Sequence, residues 1–121
     1  MTVAGDDESW NKGILGSYSH RSGVYVHHAG GSILYVGQTT TGEWGTFGER
    51  LRREFQKPSS RNSFLFQLLS AQKAPIRSYL LDVYEIDKIF SPVSLQLSSV
   101  RKALILEQVL IGLHEPEGNR K

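Results

Sequence analysis

The 121-residue chain has no cysteine. That absence removes disulfide frameworks, thiolate zinc sites, iron–sulfur clusters and cysteine nucleophiles, and it is compatible with a reducing cytoplasm. Long apolar runs are also missing. The longest, residues 103–106 and 109–113, are far short of a bilayer span, so no membrane partner is expected. The first ten residues carry Asp6, Asp7 and Glu8 and lack the basic-then-apolar pattern of a secretion signal, so the expected location is cytoplasmic. Net charge is scarce as well. Fourteen Lys+Arg stand against 12 Asp+Glu, a formal +2 that argues against a histone-like tail or a polybasic anchor. What is present is an ordinary globular mixture, 39% hydrophobic and 21% charged, in the size range of one domain.

The small net charge hides an uneven distribution. Between Trp10 and Lys73 eight basic residues face only Glu43, Glu49 and Glu54. Arg50, Arg52, Arg53, Lys57 and Arg61 fall within twelve positions. Such a cluster makes either a phosphate-facing surface or a solvated helix face, and composition does not choose between them.

Local patterns place the elements. Residues 1–20 show no sustained period and read as an irregular N-terminal arm, leaving 21–121 as the domain. Two β-rich runs flank Gly30 and Gly31, the pattern of a hairpin. A turn centred on Gly30 sets Val24 and Val26 against Val36 and Leu34, and Tyr25 directly against Tyr35 on the other face. Thr46 with Glu49 has capping-box spacing and predicts a helix to about Gln56, before Pro58. A second helix is predicted over 63–72 and a third strand over 76–86. A final helix starts at Ser98 or Ser99 and ends near Leu113. Its apolar stripe is Val100, Ala103, Leu104, Leu110 and Ile111, and Glu107 lies on that stripe. The order β-β-α-α-β-α predicts a small α/β domain with helices covering a short sheet.

A carboxylate on an apolar stripe has to be paired, protonated, metal-bound or reaching water, because burying it ionised and alone is costly. Two facing tyrosines are a packing pair or a proton-handling pair. His27 shares the face of Tyr25, where it is either a boundary residue or an auxiliary proton shuttle; His28 points the other way. His20 and His114 have no partners at metal-ligand spacing.

Taken in order, these residues resemble a known pattern. Gly23-Val24-Tyr25, nine residues, then Tyr35-Val36-Gly37 resembles the defining motif of the GIY-YIG nuclease family, with valine for isoleucine in both halves. Gly48-Glu49-Arg50-Leu51 is similar to the family's arginine helix, Glu107 with its following apolar residues to its acid, and Pro116 to Asn119 to its closing proline and asparagine. The resemblance spans residues 23–119. It implies a short three-stranded antiparallel sheet flanked by helices, and an endonuclease that hydrolyses DNA phosphodiester bonds with one Mg²⁺ or Mn²⁺. Glu107 is then the metal ligand, Arg50 the phosphate clamp, and Tyr25 and Tyr35 the groups that position or deprotonate water. Asn119 positions the phosphate or an active-site group. A tyrosine base needs positive charge nearby to bring its pKa down from about 10, and Arg50 and the metal are the expected sources.

The chain departs from the pattern in three places. Many members have histidine or tyrosine four residues after the arginine, where this chain has Glu54, either a second metal ligand or an i,i+4 ion-pair partner of Arg50. Some have lysine after the second motif, where Gln38 can hold a phosphate or water but cannot neutralise charge. The loop 39–45 is longer than in the repair-nuclease branch. These departures keep two other readings open. One is a nucleic-acid-binding module with weak or no cleavage. The other is a nuclease subunit whose specificity comes from a homodimer or a larger complex. In each, Arg52, Arg53, Lys57 and Arg61 give backbone affinity without sequence information.

Overall fold

Gly30 and Gly31 fold the first two β-rich runs onto each other. Both have positive φ, 57° and 81°, which glycine adopts without a Cβ penalty and which a two-residue hairpin turn requires. The turn joins β2 (Gly23–Ala29) to β3 (Ser32–Gln38), with Ala29 opposite Ser32. The structure is a computed structural model that describes residues 2–4, 12–41, 45–55, 63–93 and 96–120.

The hairpin's register differs from the expected one by two residues. Val26 faces Val36, Tyr25 faces Gly37, and His27 faces Tyr35. The two-residue turn accounts for one step of the shift. A bulge between His27 and His28 accounts for the other, leaving Leu34 without a cross-strand partner. A shift of two preserves the faces, since side chains alternate with period two. Tyr25, His27 and Tyr35 therefore remain together, with Val24, Val26 and Val36 on the reverse. Leu34 is the exception. The bulge turns it off the valine face, where it was expected, and packs it against Leu65 and Leu69 on the tyrosine side.

β4 (Ile76–Asp82) pairs antiparallel along the other edge of β2, and β1 (Thr2–Ala4) adds a short outer strand, so the order is β1-β4-β2-β3. The expected mixed α/β fold with an antiparallel sheet and flanking helices is present, with two additions. One is β1. The other is α3 (Val83–Phe90), which begins within the segment predicted as strand and takes its last four residues. The strand stops at Asp82 because its carboxylate accepts from the Glu85 backbone N–H at 2.9 Å, while the Glu85 side chain accepts from the Asp82 N–H. Arg21 also holds Asp82 at 2.8 Å. The hydrogen bonds from Arg21 and from backbone N–H groups hold this carboxyl below the usual carboxylate range, although burial opposes them.

Helices cover both faces. On the tyrosine face lie α1 (Phe47–Phe55) and α2 (Ser63–Ser70). Phe47 and Leu51 pack on Tyr25 and Leu15, while Leu65 and Leu69 pack on Ala29, Leu34 and Ile76. On the valine face α3 and α4 (Ser99–His114) bring Ile86 and Ala103 onto Val24 and Val36. The expected caps are present: Thr46 Oγ1 accepts from Glu49 N at 3.3 Å, and Ser98 Oγ from Arg101 N at 3.2 Å.

Two expectations are corrected by packing. The apolar stripe of α4 is rotated from the expected one. Ala103, Leu106, Leu110 and Ile111 pack inward, while Val100 and Leu104 are exposed. The expected N-terminal arm is not irregular throughout: a kinked 3-10 segment, Lys12–His20, carries Leu15 into the core beside Tyr25 and Phe47. Asp6, Asp7, Glu8, Lys57 and Arg61 lie outside the described residues. Among the described residues no helix is long and apolar enough to cross a membrane.

Candidate active site

The tyrosine face is built by alternation on three strands. Tyr25 and His27 come from β2, Tyr35 from β3, and Ser78 from β4, where it lies opposite His27. The rings of Tyr25 and Tyr35 are 6.0 Å apart although the residues are not directly paired. Gly37 opposite Tyr25 makes the room. A Cβ there would lie 2.5 Å from Tyr25 Cζ and 2.8 Å from Tyr35 Cε2, so the glycine of the second motif is a clearance for both rings.

α1 then lays Glu54 into this face. Phe47, Leu51 and Glu54 recur at helical spacing and are all buried. Glu54 is 3% exposed, yet both of its oxygens have donors. The Tyr25 hydroxyl donates to Oε2, and His27 Nε2 lies 2.8 Å from Oε1. On the far side of the same imidazole, Nδ1 is 2.7 Å from Ser78 Oγ. Neither expectation for Glu54, metal ligand or partner of Arg50, included these donors, because helix spacing alone does not show what lies across from the helix. His27 is fully buried rather than a boundary residue. Ser78 was not singled out in the sequence; its signal is a hydroxyl at an inward position of the alternating run Ile76, Ser78, Leu80.

Arg50, one turn before Glu54, is partly exposed and is oriented by the loop after β3. Nη1 donates to the Gln38 carbonyl at 2.7 Å and Nη2 to the Thr41 carbonyl at 3.1 Å. The Gln38 amide is engaged inside that loop, donating to Thr41 Oγ1 and accepting from Thr40 N. Gln38 thus shapes the seat of Arg50 instead of reaching outward for a phosphate or water as expected.

The positive charge of Arg50 acts on Tyr25, Tyr35 and Glu107 alike, and Glu107 acts on Tyr35. Arg50 therefore lies within electrostatic reach of side chains from β2, β3 and α4. Glu107 is half-buried, and desolvation raises its pKa above the ordinary carboxylate value against the pull of a Gln108 hydrogen bond and Arg50. The phenols do not behave as expected. Burial, then the charges of Glu54 and Glu107, push Tyr35 up to about 12 and outweigh Arg50. Tyr25 is raised well above 10, again by burial first and Glu54 second. Arg50 alone does not make a phenolate base here.

Asn119 is placed beside the site by its backbone contacts. Its Oδ1 accepts from Val36 N at 2.9 Å and its Nδ2 donates to Val36 O at 2.8 Å. It thereby ties the 3-10 turn Glu117–Asn119 to the strand residue next to Tyr35. Both ends of its side-chain amide are thus engaged by the Val36 backbone. On α1, Arg52 is exposed and Arg53 half-buried.

Among the described residues no group of three His, Cys, Asp or Glu side chains is arranged to hold a metal. The donor chemistry still fits one hard divalent cation. Glu107 offers a half-buried carboxylate whose charge burial disfavours, and Mg²⁺ characteristically takes one or two carboxylates with water and phosphate oxygens completing its shell. Comparison with protein-family models, with curated proteins and with solved structures finds no match to this chain.

Proposed function

We propose that this domain is a cytoplasmic, metal-dependent endonuclease that hydrolyses DNA phosphodiester bonds. The observation that carries the reading is the Tyr25–Tyr35 ring pair, 6.0 Å apart, with Arg50 from α1 and Glu107 from α4 within electrostatic reach of it. In-line hydrolysis needs a positioned water, neutralisation of the phosphate's growing charge, and a group that takes the water's proton. Arg50, seated by two carbonyls, holds the scissile phosphate as a fixed cation. Glu107 holds Mg²⁺ or Mn²⁺, which when bound withdraws charge from the phosphate. Tyr35, partly exposed above buried Tyr25, orients the attacking water. Asn119 keeps the Tyr35 strand in place. Arg52, Arg53, Lys57 and Arg61 supply salt-dependent backbone affinity.

The test uses supercoiled, linear, branched and single-stranded DNA with Mg²⁺ or Mn²⁺, beside Glu107→Ala and Arg50→Ala. Metal-dependent cleavage is expected, reduced in each variant on the order of 100-fold or more. DNA binding without cleavage on every substrate overturns the reading in favour of a binding module. A second reading, cleavage only inside a homodimer or larger nuclease complex, is favoured by the exposed row Ile105, Val109 and Leu113 along α4. It predicts that a binding-competent but inactive protein gains cleavage when its partner is added.

A further inference from the structure

We propose that α4 is the contact of a homodimer, pairing antiparallel with α4 of a second copy of this chain about Val109. The inference rests on the homodimer reading and gives it a surface. Oligomeric state is measured apart from cleavage, so the contact and the nuclease can each fail alone.

Three observations lead there. First, α4 is apolar around most of its circumference. Ala103, Leu106, Leu110 and Ile111 pack inward, yet Val100, Leu104, Ile105, Val109 and Leu113 are exposed, Val109 by 49% and Leu113 by 72%. A helix bordering water on one side ordinarily carries polar residues there, and one apolar all round is ordinarily buried. Second, the exposed residues are contiguous. Val100, Leu104, Gln108 and Gly112 form one ridge at steps of four, and Arg101, Ile105, Val109 and Leu113 form the next. Single apolar residues at a surface are ordinary, whereas a continuous apolar patch marks an interaction surface. Third, Gly112 weakens the helix relative to alanine, and nothing among the described residues calls for it, since an added Cβ would meet nothing within 4 Å. On the exposed side, it leaves room for a second helix to come close.

Charge selects the occupant and its direction. Arg101 is exposed at the start of the second ridge, and Glu115 is exposed at the C-cap, where the last carbonyls add negative charge. Lys102, beside Arg101, is held by Asp87 of the same chain at 3.1 Å. A second copy laid parallel sets Arg101 on Arg101 and Glu115 on Glu115. Laid antiparallel about Val109, it sets each Arg101 at the other's acidic end, Ile105 on Leu113, and Val109 on itself. The ridge is complementary to its own reverse, as a two-fold interface requires.

The lack of cysteine makes a position-specific test possible. Sedimentation equilibrium of the full chain over a wide concentration range reads the oligomeric state, with circular dichroism on every variant. Wild type is expected to dimerise reversibly. Val109→Arg sets two like charges on the axis and should loosen the dimer on the order of 30-fold or more. Arg101→Glu should loosen it about tenfold, and adding Glu115→Lys should restore it. Mild oxidation of Val109→Cys should give a disulfide-linked dimer, because only residues that meet can be bridged, while Arg52→Cys on α1 should not.

A wild type monomeric at every concentration overturns the proposal and leaves the α4 face to a partner of another kind. A dimer that Val109→Arg does not loosen, or that Arg52→Cys crosslinks as well as Val109→Cys does, overturns the α4 contact and keeps the homodimer reading. A charge swap that restores nothing overturns the antiparallel arrangement. Should Val109→Arg not fold, the Val109→Cys crosslink decides. A dimer that cuts no DNA fails the nuclease reading instead.

Discussion

On one face of the sheet Val24 and Val36 meet Ile86 and Ala103 in an apolar cluster. On the other, Tyr25 and His27 meet Glu54 and Ser78 meets His27, with a hydrogen bond at each junction, beside Leu15, Phe47 and Leu51. Both faces exclude water. The first gains stability from burial in proportion to area, roughly 1.5–3 kcal/mol for each large side chain, and needs only shape. The second buries a carboxylate and an imidazole, which is tolerable only while each polar atom keeps its partner. One helix pair therefore holds the sheet together, while the other brings costly groups to a place where they can handle a proton.

Mutations separate the two faces. The largest stability effect is expected on the apolar one. Ile86→Ala empties a fully buried position and should cost about 2–5 kcal/mol in urea unfolding, while cleavage per folded molecule stays near wild type. Gly37→Ala should reverse that balance. Its methyl meets both tyrosine rings, so it should cost about 1–3 kcal/mol and also lower kcat by spreading Tyr25 from Tyr35. A Gly37→Ala enzyme with unchanged kcat would remove the ring clearance from the argument.

A pH titration reaches the tyrosine face through its buried phenol. Tyr35 has a folded pKa of about 12, against an ordinary value near 10. The raised value means the folded state favours the neutral phenol. Its contribution is fully present below about pH 10 and is lost as pH rises towards 12. Difference absorbance between wild type and Tyr35→Phe should show the late-titrating phenol, with alkaline unfolding over the same window. A phenol ionising near 10 would contradict the burial assigned to it. The smallest effect belongs to the outer surface of α1. Arg52→Ala should leave stability within about 0.5 kcal/mol and lower the salt slope of DNA binding by about 1, with little change in cleavage at saturation.

Much of this was legible from residue order. Thr46 and Ser98 marked the starts of α1 and α4, Gly30-Gly31 marked the hairpin, and the alternation put Tyr25, His27 and Tyr35 on one face. That assignment survived a wrong register because the slip was even. What failed was read from composition alone. The strand-like run 83–86 is a helix because Asp82 and Glu85 cap it, although Val83, Tyr84 and Ile86 are strand-favouring residues. Residues 12–20 have no clear period, yet Leu15 is core.

Local chemistry, then, settles which residues are available: no thiol, two phenols at fixed alternation, an arginine and a glutamate four apart on one helix, and an acid on an apolar stripe. Those are properties of spacing, and spacing is written in the chain. Only tertiary packing decided which of them met. The bulge turned Leu34 over, the loop after β3 took Gln38 to seat Arg50, and α1 set Glu54 against His27 and Tyr25 instead of leaving it at the site's mouth. The partner of a buried charge lies across a layer, tens of residues away, and no local rule carries that distance.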